Sequence, residues 1–221
     1  KDQLQLLSFY DTLTPEQQEN LLAQIEGIDW SLLDVLKTHE TVNARGTFAP
    51  LSAMELSQID ANRAHLEEVG LQAIREGKVA AVLLAGGQGT RLGFDKPKGM
   101  YNIGVTRELY IFECLINNVM EIVKKAGAWI PFYIMTSDKN YDDTTAFLKE
   151  KNYFGYNAEY IHFFKQEMAP SVDYNGKLLM EAPDRLSLSP NGNGGWFSSL
   201  CRYGYDKQMK EAGVEWLTAF A

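Results

Sequence analysis

From Lys78 to Leu84 the chain is a continuous apolar run, and it passes without a break into Ala85-Gly86-Gly87-Gln88-Gly89-Thr90-Arg91-Leu92-Gly93. A strand with no polar alternation belongs in the middle of a sheet covered on both faces. This junction therefore restricts the fold to a buried strand that ends in a tight glycine turn. Glycines permit positive φ and let backbone N–H groups approach a ligand with no Cβ in the way. Successive N–H groups in such a turn form a concavity for anions. Arg91 lies in the turn, and Lys96 and Lys98 follow it around Pro97 and Gly99; these cations bring the charge that a polyphosphate needs. The turn reads as a cradle for nucleotide phosphates.

Spacing excludes the better-known cradles. In a dinucleotide fingerprint begun at Gly87 and Gly89 the third glycine belongs at position 92, which is Leu92; it comes one later, at Gly93. A Walker loop needs Gly-Lys-Ser/Thr, whereas Lys98 stands between Pro97 and Gly99. A nicotinamide-dependent oxidoreductase is thus the weaker reading, and demonstrated NADH binding would be needed to revive it.

Downstream, helices alternate with strands, the pattern of a mostly parallel α/β sheet with helices on both faces. Phe112, Leu115, Ile116, Val119, Ile122 and Val123 keep the 3.6-residue period of an amphipathic helix that ends near Gly127. Strands are expected over 130–136, 160–164 and 214–220, with helices over 142–151 and 194–212. Asp173-Tyr174-Asn175-Gly176 carries an Asn-Gly turn that predicts a hairpin. Before Lys78 the chain reads as helical. Thr14-Pro15-Glu16-Gln17 is a capping box with proline at the first helical position, and Leu21, Leu22 and Ile25 form its apolar stripe. A loop is expected from Thr38 to Pro50 and a second helix from Leu56 to Arg75, stopping at Gly77. The expected division is a helical segment, 1–77, packed on the sheet, and a nucleotide-binding catalytic domain, 78–221.

With 221 residues, 45% of them hydrophobic, the chain can bury a real core. A formal charge of −8 argues against broad nucleic-acid binding. No apolar run approaches a membrane span and no secretory signal pattern opens the chain, so no membrane partner and a cytoplasmic location are expected. Cys114 and Cys201 are far apart and read as reduced thiols packed as small apolar groups. His39, His65 and His162 are scattered, Asp138, Asp142 and Asp143 fit a solvated helix start, and no metal-ligating residue is assigned within the chain.

Taken in order, Leu84 to Gly93, then Lys98-Gly99-Met100-Tyr101, Tyr133 to Ser137, Phe163-Phe164-Lys165-Gln166 with Met168 and Pro170, and Ser189 to Gly195 resemble the UDP-N-acetylhexosamine pyrophosphorylases among the UDP-sugar pyrophosphorylases. The likeness is nearly continuous from Lys78 to Ala221. It implies a Rossmann-like, GT-A-like nucleotidyltransferase sheet and a uridylyltransferase that joins UTP to a sugar 1-phosphate and releases pyrophosphate. N-acetylglucosamine 1-phosphate is the expected sugar; glucose 1-phosphate or several hexose 1-phosphates are the alternatives.

The same resemblance assigns residues. Leu84, Ala85, Gly86 and Gly87 contact the nucleotide through their backbone. Lys98 neutralises the α-phosphate, and Arg91 grips the β and γ phosphates. Gln166 pairs with the uracil edge, since an amide offers both a donor and an acceptor. Gly192 lies in the nucleotide loop and Asn193 meets the sugar. Read from the residues alone, the alternatives are a solvated lysine for Lys98, a helix cap for Arg91 and a strand-end glutamine bonded to backbone for Gln166. Lys165 and Glu167 depart from the Gln and Gly common around that glutamine, and Trp196 follows Gly195; both departures bear on the sugar side. The resemblance also implies Mg2+, with its aspartate and a second lysine expected beyond Ala221, so that the chain reads as the nucleotide half of an enzyme and a nucleotide-binding fragment without turnover is the rival. The sequence gives no oligomeric state.

Overall fold

Strand β1 (Val79–Leu84) lies inside a four-stranded parallel sheet, between β2 (Phe132–Thr136) and the strand β8 (Trp216–Phe220), with β3 (Ile161–Lys165) beyond β2. The computed structural model describes residues 2–31, 46–47 and 49–221. Ala80 to Leu83 and the whole of β2 are buried, which is what the unbroken apolar runs require.

Alternation along the two central strands sorts their side chains onto two faces. Ala81, Leu83, Phe132 and Ile134 join one core with Phe112, Ile116 and Val123 of helix α3 (Ile111–Ala126), Ile74 of α2 (Leu56–Arg75) and Phe147 and Leu148 of α4 (Tyr141–Glu150). Ala80, Val82, Tyr133 and Met135 join the other with Leu200 of α5 (Trp196–Arg202) and Met209 of α6 (Tyr205–Glu211). Each fully buried Phe or Ile contributes roughly 1.5–3 kcal/mol relative to exposure, so this two-sided burial fixes β1 and holds its end still. The helices stop where left-handed glycines allow: α3 at Gly127 (φ 69°), and the turn after α2 at Gly77 (φ 72°). One expected helix over 194–212 is two, because Gly204 (φ 73°, ψ 11°) breaks the ladder between α5 and α6.

The backbone forms two compact units, and they do not divide at 77/78. One contains residues 1–52 and 168–190, the other 53–167 and 191–221. Helix α2 belongs with the sheet: Lys125 pairs with Glu67 at 3.1 Å, and the Arg75 side chain donates to the Ala126 carbonyl at 3.2 Å. In the other unit, α1 (Pro15–Glu26) is capped by Thr14 and Gln17 as expected. Its Gln24 bonds the backbone of Asp184 and Leu186, and Leu6, Leu178 and Leu186 form a small core with Ile25, Ile28 and Trp30. That helix is therefore held by the 168–190 segment, whose strands pair as β4 (Met168–Pro170) with β7 (Leu188–Pro190) and β5 (Met180–Ala182) with β6 (Arg185–Leu186). The Asn-Gly hairpin is present. Asp173 accepts from the backbone of Asn175 and Lys177, both at 2.8 Å, and Gly176 has φ 75°. Most of the expected 38–50 loop, His39 included, lies outside the described residues. Among the described residues no helix is long and apolar enough to cross a membrane.

Candidate functional site

The glycine turn leaves β1 at the carboxyl ends of the parallel strands, where ligands of open α/β sheets bind. It folds back on itself. The Gly89 N–H donates to the Lys96 carbonyl at 2.9 Å and the Lys98 N–H to the Gly87 carbonyl at 3.1 Å, so the two limbs form a short antiparallel bridge. Gly93 (φ 66°) makes the reversal, and at Gly89 a Cβ would meet Phe94 at 2.8 Å. The fold-back brings Lys98, eleven residues on in sequence, beside Gly87. The N–H groups of Gly86, Gly87 and Gln88 have no acceptor among the described residues. Three successive free amides are donors available to an anion.

Leu84, Ala85, Gly87, Lys98 and Asn193 line one cavity of about 190 Å³ together with Gly99, Phe112 and Leu115. Its floor is apolar. The Phe112 ring lies against Gly99 so closely that a Cβ there would fall 2.3 Å from the ring, which is why the residue after Lys98 has to be glycine. Lys98 and Arg91 are exposed and carry no ion pair among the described residues. Arg91 stands on the short turn Thr90–Leu92, outside the cavity lining. Lys96 differs from the expectation that it joins the phosphate charge: its Nζ lies 2.9 and 3.1 Å from the Asp143 carboxylate.

Gln166 follows β3 and is buried, 6% exposed. Its backbone N–H donates to the Thr136 carbonyl at 2.7 Å, while its side-chain amide has no partner among the described residues. That amide lies against Gly86, where a Cβ would come within 2.5 Å of Nε2. The flanking charges point elsewhere: Lys165 pairs with Asp138 at 3.0 Å and Glu167 with Arg202. Gly192 has φ 73° and ψ −170°, a conformation open to glycine, and it leads into the turn Asn193–Gly195 that precedes α5.

One residue passed over in the sequence is central to the loop. Asn140 is fully buried. Its Nδ2 donates to the carbonyls of Ala85 at 3.1 Å and Gly87 at 3.5 Å, and its Oδ1 accepts from the Ser137 N–H at 2.7 Å. The sequence signal was an asparagine at a helix start, which ordinarily implies a cap; here the side chain makes no cap bond to α4.

Among the described residues no three His, Cys, Asp or Glu side chains gather as a metal-binding group. The described residues thus offer no preformed cluster of carboxylates for Mg2+.

The sequence model of UDPGP, UTP–glucose-1-phosphate uridylyltransferase, matches residues 21–219. The chain belongs to this family. Within it, the UDP-N-acetylhexosamine pyrophosphorylase-like protein 1 of Mus musculus is 32% identical over 97% of this chain and 46% of its own length. The UDP-N-acetylglucosamine pyrophosphorylase of Saccharomyces cerevisiae is 34% identical over 96% and 49%. The crystal structure of the uridine diphosphate N-acetylglucosamine pyrophosphorylase from Trypanosoma brucei, in complex with inhibitor, superposes with a TM-score of 0.79 at 28% identity, covering 99% of this chain and 48% of that one. The resemblance drawn from the ordered motifs is borne out, as is the nucleotidyltransferase sheet. The chain spans about half the length of the curated relatives it matches.

Proposed function

We propose that the chain binds UTP at the glycine turn and takes part in uridylyl transfer to a sugar 1-phosphate, N-acetylglucosamine 1-phosphate in particular, with release of pyrophosphate. The observation that carries this reading is the single cavity lined by Leu84, Ala85, Gly87, Lys98 and Asn193, beside three free backbone amides. Phosphoryl transfer through a loose transition state asks the protein for alignment and charge stabilisation. These amides supply fixed dipoles to the phosphate chain. Lys98 supplies a cation at the α-phosphorus as the oxygen of the sugar phosphate attacks and pyrophosphate leaves. Arg91, on the outer turn, meets the β and γ phosphates. Gln166 offers its unpaired amide to the uracil, and Asn193 with Gly192 faces the sugar nucleotide. Mg2+ bound with the nucleotide would add charge neutralisation at the phosphates. Two half-buried free cysteines agree with a reducing cytoplasm.

The relatives named for N-acetylglucosamine support that sugar. The test is titration with UTP, followed by a product assay offering N-acetylglucosamine 1-phosphate and glucose 1-phosphate in competition. UTP binding with preference for the first sugar is expected. Failure to bind UTP removes the reading; equal use of both sugars removes the sugar assignment. Binding without pyrophosphate release is the outcome that identifies a nucleotide-binding module.

A further inference from the structure

We propose that Asn140 is the positioning residue of the phosphate-binding turn, a role that rests on the reading of that turn as the UTP cradle. A trans peptide is planar, and its C=O and N–H point in opposite directions. Holding the Ala85 carbonyl therefore aims the Gly86 N–H away from the holder, and holding the Gly87 carbonyl aims the Gln88 N–H the same way. The Asn140 amide holds both carbonyls at once. The consequence is that two of the three free amides face the side of the turn opposite Asn140. A loop rich in glycine has many alternative conformations to lose on folding, so an anchor of this kind matters more here than it would in a strand.

The anchor is rigid in its own right. Oδ1 is fixed by the Ser137 N–H, the backbone N–H of Asn140 donates to the Ser137 carbonyl at 3.2 Å, and its carbonyl accepts from Thr144 in α4 at 3.0 Å. Asn140 is thus pinned between the end of β2 and the start of α4, two elements of the core. The Gly87 carbonyl it holds also accepts from the Lys98 N–H at 3.1 Å. One side chain therefore sets both the amides that would face the phosphates and the backbone from which Lys98 extends. An amide suits the task because it donates to the carbonyls and accepts from Ser137 together. A carboxylate of the same shape keeps the acceptor and loses the donor, and so repels the two carbonyls.

The test separates a donor from a space-filling group. Amide exchange of the ligand-free chain is measured with Asn140→Ala, Asn140→Asp and Asn140→Ser. The N–H groups of Gly89 and Lys98 are bonded within the turn, and their exchange should accelerate about tenfold or more in Asn140→Ala and Asn140→Asp, with Ala81 in β1 unchanged. Asn140→Ser, which keeps a short donor, should recover part of the protection. UTP affinity should fall roughly tenfold in Asn140→Ala, at least as far in Asn140→Asp, and less in Asn140→Ser. Unaltered turn exchange in Asn140→Ala, or wild-type behaviour of Asn140→Asp, overturns the proposal. Because exchange is read without nucleotide, a wild-type chain that ignored UTP would sink the cradle reading while the hold of Asn140 on the turn was still decided by exchange.

Discussion

Two glycines in this site are glycines because of what presses on them, and each makes a prediction. At Gly86 a Cβ would fall 2.5 Å from the Gln166 amide, so Gly86→Ala must displace that amide. We expect UTP affinity to fall about tenfold or more with little loss of melting temperature; unchanged binding by calorimetry would remove Gln166 from the base-reading role. At Gly99 the obstacle is the Phe112 ring itself, buried in the core. Gly99→Ala should cost about 1–3 kcal/mol by overpacking, readable in urea unfolding, and should weaken UTP binding along with stability because Lys98 precedes it. The glycine turn was legible in the sequence because an apolar strand runs straight into it, and the family resemblance singled out Lys98 and Gln166. Asn140 and the pairing of Lys96 with Asp143 were not, since both depend on contacts between segments some fifty residues apart.

At the scale of elements, the sequence was most informative where local and global preferences agree. The unbroken apolar strands, the Thr14 capping box, the α3 stripe and the Asn-Gly turn all stand where pattern puts them. It was least informative at breaks. Nothing in propensity separates α5 from α6 except one glycine, and Asn152, Tyr153 and Phe154 run through φ 47°, 51° and 52°, a region such residues rarely enter. That run is held by tertiary packing: the Phe154 ring packs at a tilt against Tyr110 and Phe147, and Tyr156, two residues on, donates its buried hydroxyl to the Ile130 carbonyl at 2.6 Å. Tyr156→Phe removes this bond and leaves the carbonyl without a donor, so it should destabilise by about 1 kcal/mol or somewhat more. A midpoint unchanged in denaturant would show that water replaces the hydroxyl.

For the molecule as a whole, burial lowers the pKa of His162, which stacks on Tyr133 with ring centroids 4.8 Å apart. The folded state thus resists protonating this ring while the unfolded chain, near pKa 6.5, does not. The unfolded state binds the extra proton, so stability is complete above that pH and declines as pH falls through the window below it. Unfolding midpoints measured from pH 7.5 downward should show that decline, and His162→Phe should flatten it; an identical slope in the variant would assign the effect to carboxylates. Electrostatics of another kind follow from the pairing of Lys96 with Asp143. Arg91 and Lys98 remain as the exposed cations of the turn without ion pairs among the described residues, and the rest of the attraction comes from oriented peptide dipoles. Dissolved ions screen exposed side-chain charge strongly, yet they do not displace an amide fixed in the backbone. Raising potassium chloride should therefore weaken nucleotide capture more gently than a triad of unpaired cations would, leaving recognition tolerant of ionic strength.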